Sequence, residues 1–321
     1  MDILSTPSSE LISLILSSRL LITRELDNEL KLFCATQSNQ TALDTTLPKT
    51  YSQATVIELN ALKKSLGKIS SECITLSSEY DSLELPEGSL AYHRIVGTIL
   101  SDSNWWFSTM QFERDMLSAE ANPQFSGHFV HINSGGGDAY YLDQISKTLS
   151  ACQKPIYVYI KKVCGSAAYY IGCHGTVVKA TTSNDIIGCI GTMASFWDTD
   201  SYFEKLGLKK VEAYATRSIL KNKKHNDLVS GKPKQFIEED LNPLCEQFIS
   251  EVQSNRKIIS KLPDDHPILQ GETYRAELAQ SADNGLIDGI ATLPEAIREA
   301  HDLGQQWLSN QQIKQQIRRM L

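Results

Sequence analysis

Between Leu90 and Ala180 the apolar positions come in short runs separated by helical stretches of roughly ten residues. Leu90-Ala-Tyr-His-Arg-Ile-Val96 predicts a strand that ends at Gly97. His128-Phe-Val-His-Ile132, Pro155-Ile-Tyr-Val-Tyr-Ile160 and Thr176-Val-Val-Lys-Ala180 predict three more. The stretches Phe107 to Ala121, Leu142 to Cys152 and Ser166 to Cys173 fall between them as helices, the second stopped before Lys154-Pro155. Strands alternating with helices of this length imply βαβ units and a mostly parallel sheet, so the fold class is α/β. After Gly207 the pattern predicts a strand at Lys210 to Tyr214, a basic loop, and a long helix from about Phe236 to Ile259 with a kink at Pro243. A short α/β tail with a helix from Leu293 to Leu303 follows, and no repeat with a period of 20–50 residues is apparent.

Residues 1–85 have a different texture, rich in Ser, Thr, Leu and Lys and nearly devoid of Gly. Leu11, Ile12, Ile15 and Leu16 recur at helical spacing, as do Leu59, Leu62 and Leu66, with a polar stretch from Gln37 to Gln53 between them. The chain therefore divides into a helical N-terminal appendage (1–85), a main domain (86–305) and a polar C-terminal tail (306–321). With 31 Lys+Arg against 38 Asp+Glu the net charge is −7, which argues against a protein that holds nucleic acid by bulk positive charge. The seven cysteines are scattered without a CxxC pair, as in reduced intracellular thiols rather than a disulfide framework or zinc ribbon. No apolar run reaches the ~18 residues of a membrane span. The best candidate, Leu11 to Ile22, is broken by Ser13, Ser17, Ser18 and Arg19, and only acidic charges precede it. These features predict a soluble, cytoplasmic protein.

Two segments at strand ends carry candidate chemistry, because open α/β sheets place their sites there. The first is Ile132-Asn-Ser-Gly-Gly-Gly-Asp138, whose glycines let backbone N–H groups approach a ligand closely. A plain tight turn is the ordinary reading of such a run, and no GK[ST] follows to make it a phosphate loop. The second is Val163-Cys-Gly-Ser-Ala-Ala-Tyr-Tyr170, which sets Ser166 at a strand-to-helix junction. There a serine suits a nucleophile facing helix N-terminal amides, or simply a helix cap. Ile187-Gly-Cys-Ile-Gly-Thr192 adds another Gly-spaced turn.

The order of these motifs resembles the signal peptide peptidase A (protease IV) family of serine peptidases. Asn133-Ser-Gly-Gly-Gly, Gly165-Ser-Ala-Ala-Tyr-Tyr170, Gly188-Cys-Ile-Gly191 and Gly285-Leu-Ile-Asp288 match its NSPGG, nucleophile, GSIG and GLVD motifs in sequence, across roughly Leu90 to Ala300. The resemblance implies the Clp-protease/crotonase fold of stacked ββα units. It places the nucleophile on Ser166 and the oxyanion donors on the backbone N–H groups of Gly136 and Ala167. Gly135 stands where the family usually has proline.

The family's general base is a lysine some fifty residues after the serine, within Thr216-Arg-Ser-Ile-Leu-Lys-Asn-Lys-Lys-His225 here. A base lysine must be neutral near pH 7 and so needs burial. Lys221, after Ile219-Leu220, is the better candidate, with Lys223 as the alternative; Lys223 and Lys224 read as a solvated pair. A Clp-type triad would need a histidine near Gly191, where there is none. His174 reads as structural, His225 is a weak competitor, and Cys164 reads as a small buried thiol. No HExxH or His/Asp cluster suggests a metal, and a Ser-Lys mechanism needs neither metal nor cofactor.

The expected function is therefore a serine endopeptidase that cleaves extended polypeptides with a Ser-Lys dyad, assembled as a homo-oligomeric ring. The absent membrane anchor and the N-terminal appendage favour the family's phage head-maturation branch, which processes capsid or scaffold proteins, over digestion of leftover signal peptides. Membrane association without a spanning segment is left open. Two alternatives from other classes are a catalytically inactive assembly scaffold and a crotonase-type acyl-CoA enzyme. The scaffold would be indifferent to Ser166→Ala, and the acyl-CoA enzyme would bind CoA.

Overall fold

The computed structural model describes residues 87–103, 106–195, 200–209, 211–281 and 283–320, together with three short strands, β1 (Leu20–Ile22), β2 (Thr55–Ile57) and β3 (Ile74–Thr75). The main run opens with β4 (Ser89–Val96), β5 (Ile99–Leu100), β6 (Phe107–Ser108), α1 (Thr109–Ala121), β7 (Phe125–Ser134) and β8 (Gly136–Asp138). It continues with α2 (Leu142–Ala151), β9 (Ile156–Gly165), α3 (Ala167–Gly172), β10 (Val177–Ala180) and β11 (Ile186–Gly188). Then come α4 (Asp200–Lys205), α5 (Lys223–Val229), α6 (Asn242–Asn255), β12 (Thr273–Arg275), α7 (Ala276–Ala279), β13 (Gly289–Ile290) and α8 (Leu293–Met320).

The large sheet is parallel at its centre, β4 beside β7, β7 beside β9, and β9 beside both β10 and β11. Antiparallel strands close its margins, with β2 on β4 and β12 on β11. A small second sheet runs β1-β8-β5-β6. The fold is thus α/β with a mostly parallel sheet. Strand β9 divides its outer edge: Tyr157–Ile160 pair with β10 and Val163–Gly165 with β11. The changeover is a bulge. Ile132 pairs with Ile160 but Ser134 with Cys164, so the chain at 161–163 is in excess, and Lys162 takes φ +74° there. The buried carboxylate of Asp185 fixes the bend by accepting from the amides of Lys162 (3.1 Å), Thr181 (2.8 Å) and Thr182 (2.8 Å).

Both faces of the central strands are covered, which is why they read as near-continuous apolar runs. Val130, Ile132, Ile156, Val158 and Ile160 pack into the main core with residues of α1, α2 and α3. Phe129, Tyr157 and Tyr159 turn to the other face, under Ala296, Ile297 and Ala300 of α8. The Phe129 and Tyr157 rings stack there with centroids 5.6 Å apart.

Three expectations are revised. The strand expected at Lys210 to Tyr214 does not form. Residues 211–215 have no regular structure, and Val211 is 83% exposed, so the apolar face that a strand would bury has nothing to pack on. The helix expected to end near Leu303 runs on to Met320, carried by Gln, Lys and Arg, which favour helix without needing a core. The kink expected at Pro243 falls one turn earlier, as a π-helical turn at Ile237–Leu241, with Pro243 in the first turn of α6 where its missing N–H is harmless. Within 1–85 the described residues are the three short strands, and both expected helices, around Leu11–Leu16 and Leu59–Leu66, lie outside the described residues.

Candidate active site

Three of the sequence motifs meet at the carboxyl ends of three adjacent parallel strands. The glycine-rich turn follows β7, Ser166 follows β9, and Gly188 ends β11; the pairings Ser134 to Cys164 and Gly188 to Gly165 set them side by side. Helix α3 packs against β8, so the strand that carries Gly136 and the helix that follows Ser166 are neighbours.

Ser166 is held in an unfavourable conformation, φ +55° and ψ −125°, which a non-glycine residue adopts at a cost of about 1–3 kcal/mol. Its amide donates to Gly188 O (2.9 Å) and its carbonyl accepts from Tyr170 N (2.9 Å), so both sides of the residue are tied down. The residue is fully buried, and its Oγ has no hydrogen-bond partner. Buried hydroxyls are nearly always satisfied, so an orphaned one on strained backbone points to chemistry rather than packing. The capping role weighed for Ser166 is not what it does: its side chain makes no cap hydrogen bond. The Ala167 amide belongs to the first turn of α3, where N–H groups lack intrahelical acceptors.

The small residues after Ser166 have a packing reason. Every residue of α3 is buried, Tyr169 Oη reaches Leu286 O (2.8 Å), and Tyr170 packs on Phe248. The glycine turn is equally constrained. Ser134 Oγ donates to Gly97 O (2.5 Å) and accepts from Gly136 N (3.1 Å), while Gly136 sits at φ +106°. At Gly137 a Cβ would lie 2.0 Å from Ile99 O. Gly135, unlike Gly136, is not held at a positive φ.

Gly285-Leu-Ile-Asp288 serves the site indirectly. Asp288 pairs with the buried Arg256 through Nη2 (2.8 Å) and accepts from Val178 N (2.7 Å), while Arg256 Nε donates to Gly285 O (3.1 Å). The motif thereby ties α6 to β10 beneath α3. Sequence reasoning had named the motif but not Arg256; a lone Arg at a helix end carries no signal of its partner.

The lysines are placed differently from expectation. Lys221 lies in a turn before α5 and is exposed, as are Ile219 (77%) and Leu220 (71%), so the apolar wall expected to bury it is not formed among the described residues. Since Ser166 Oγ has no partner, Lys221 does not reach it here. Lys223 pairs with Asp227, and Lys224 with Glu239 and Asp240, which hold the Lys224 ammonium above its ordinary range. Among the described residues Lys221 pairs with no carboxylate.

Cys164 is fully buried, and burial pushes its thiol well above the ordinary range, which makes it unreactive. His225 is exposed on α5, so this part of the expected basic loop is helical. His174 is structural, as read from the sequence. Its Nε2 faces Glu251 (2.9 Å) and Ser146 Oγ (3.1 Å), and its Nδ1 faces the carbonyls of Tyr170 (3.0 Å) and Ile171 (3.2 Å). With acceptors around both nitrogens the ring is an imidazolium. Burial opposes the charge, but Cys173 and Glu251 outweigh it and lift the pKa from 6.5 to about 10. A raised pKa adds stability that is complete below 6.5 and is lost as pH rises through about 10. Urea midpoints of wild type and His174→Gln should therefore differ most near pH 6 and converge above pH 10. A constant difference across that range would show that the charge contributes nothing.

A cleft of about 520 Å³ opens beside the end of β8, lined by Tyr140, Tyr141, Asp143, Gln144, Leu244 and Gln247. It was not visible in the sequence, because α2 and α6 are a hundred residues apart along the chain. One group of possible metal donors, Glu120, His128 and Cys152, lies near the opposite end of β7 from the glycine turn. Each is already hydrogen-bonded within the protein.

A strained, buried serine at the end of a strand, with a glycine turn on the next strand, is the arrangement that acyl-transfer sites use. Residues 148–307 match the model of peptidase family S49, and this stretch of the chain belongs to that family. It is a peptidase domain of the serine class. The match includes Ser166 and Lys221 and begins after Gly136. No curated protein matches the chain. Among solved structures it is similar to an enoyl-CoA hydratase/isomerase family member, with 13% identity over 71% of this chain and 75% of that one, at a TM-score of 0.37. ThnE from S. clavuligerus is 12% identical over 68% and 81%, at 0.38, and a ClpP1 variant from Listeria monocytogenes 13% identical over 64% and 93%, at 0.37. These likenesses concern the outline of the fold alone, and none bears on chemistry.

Proposed function

We propose that the chain is an endopeptidase that cuts extended polypeptides with Ser166 as nucleophile and Lys221 as general base. The observation that carries the reading is the partnerless, buried Ser166 hydroxyl on strained backbone, inside a segment of peptidase family S49. Lys221 in its neutral form takes the Oγ proton as Ser166 attacks the scissile carbonyl. The amides of Gly136 and Ala167 hold the oxyanion, with Gly136 N–H exchanging its bond to Ser134 Oγ for one to the substrate. Water activated by the same lysine then hydrolyses the acyl-enzyme. The acyl-CoA alternative has no use for a nucleophile at Ser166, and the inactive scaffold has no use for its strain.

The neutral lysine requires burial that one chain does not supply. Leu206, Leu208, Val211, Ile219 and Leu220 are all exposed on the segment that carries Lys221, a patch suited to cover by a second copy. A homo-oligomer thus completes the site, with the base reaching a neighbour's serine. Mixing experiments test this. Ser166→Ala and Lys221→Ala should each be inactive alone on an unfolded protein substrate and recover activity when reassembled together, while Lys223→Ala stays active. Inactivation by Lys223→Ala but not Lys221→Ala would move the base by two residues. Loss with both Ser166→Ala and Lys221→Ala but no recovery on mixing would place the dyad within a single chain.

A further inference from the structure

Strand β8 carries Gly136, and its two edges are not equivalent. One edge is held by β5, through Ile99 opposite Gly137. The other is taken by β1, Leu20–Ile22, which runs antiparallel with Leu20 opposite Asp138, Leu21 opposite Gly137 and Ile22 opposite Gly136. An extended peptide adding to an open sheet edge is the common way a protein holds a polypeptide by its backbone. In this peptidase that edge is also the one whose first residue supplies the proposed oxyanion amide. A substrate on it must place the carbonyl under attack opposite Gly136, and β1 places Ile22 there.

We propose that residues 20–22 are the chain's own substrate strand and that Ser166 attacks the carbonyl of Ile22, the residue opposite Gly136; this rests on the peptidase reading above. Three features support it together: the antiparallel direction, the register at Gly136, and the fact that the opposite edge of β8 is closed. The step balances as an ordinary peptide hydrolysis. Ser166 Oγ adds to the Ile22 carbonyl carbon, and its proton passes through the base to the Thr23 nitrogen as the Ile22–Thr23 bond breaks. Water then hydrolyses the Ile22 ester, releasing residues 1–22 with a free carboxylate and restoring the hydroxyl.

The test uses the full chain with two readouts, intact mass for the N-terminal boundary and a fluorophosphonate probe for Ser166 as a nucleophile. Wild type is expected to be cut after Ile22 and Ser166→Ala to remain whole. Leu20→Pro/Leu21→Pro, which removes two successive N–H groups of β1 and so at least one ladder donor while leaving Ile22 in place, should also remain whole while still labelling at Ser166, which shows that its site is folded. Because the strand is tethered to the chain that carries Ser166, tenfold dilution within the range where the oligomer stays assembled should change the rate of the cut by less than about twofold. Labelling of wild type with no cut, a cut elsewhere, or a cut that persists in the proline variant would each overturn the inference and leave the peptidase reading standing. Wild type that neither labels nor cuts would overturn both.

Discussion

Replacing Ser166 by alanine is expected to lower hydrolysis of an unfolded protein substrate by at least about 10³-fold, the usual cost of deleting a nucleophile. The fold should not suffer. Ser166 Oγ makes no hydrogen bond, so no bond is lost, and removal of an unsatisfied buried hydroxyl should stabilise the protein by about 1 kcal/mol. Ser166→Gly should go further, because glycine accepts φ +55° without strain, a gain of another ~1 kcal/mol. The pair of variants thus predicts activity and stability moving in opposite directions, as expected where strain is kept for function. Turnover assays and urea denaturation on the same preparations check it. Unchanged activity would remove Ser166 as the nucleophile, whereas a wild type without hydrolysis would return the chain to the scaffold reading. A loss of more than about 1 kcal/mol in Ser166→Ala would mean that the hydroxyl holds the structure together.

The second large effect is expected at Gly137→Ala. The added Cβ would lie 2.0 Å from Ile99 O and 2.7 Å from both Ile99 C and N. These are backbone atoms of the neighbouring strand, so no side chain can rotate out of the way, and β8 must separate from β5. We expect a loss of about 3 kcal/mol in stability, at the upper end of overpacking costs. Moving β8 also moves the Gly136 amide away from the oxyanion position, and losing one such donor costs about 10²–10³ in kcat. Thermal denaturation and single-turnover kinetics separate the two effects. Wild-type turnover in a folded Gly137→Ala protein would remove Gly136 from the oxyanion hole.

The candidate site lay open in the order of short motifs. Ser166 after a glycine and before two alanines, the glycine run at 135–137, and Gly285 to Asp288 are local patterns, and each is small or turn-forming for a backbone reason that one-dimensional spacing records. The central strands were equally legible. Ile156 to Ile160 and His128 to Ile132 are buried on both faces, and that leaves a dense apolar run in the chain.

Other features depended on who meets whom. The Lys162 bulge and the Asp185 carboxylate that holds it exist because β9 serves two partners, and neither residue looks unusual alone. Arg256 is meaningful only beside Asp288, thirty-two residues away, and β1 only beside Gly136. Residues 211–214 had the pattern of a strand yet pair with none, and Ile219-Leu220 had the composition of a wall yet stay exposed. Local sequence determined which backbone shapes and which chemistry this protein has available. Tertiary pairing decided which edges were open and which side chains lost their water, because burial and strand partnership are properties of the packed chain.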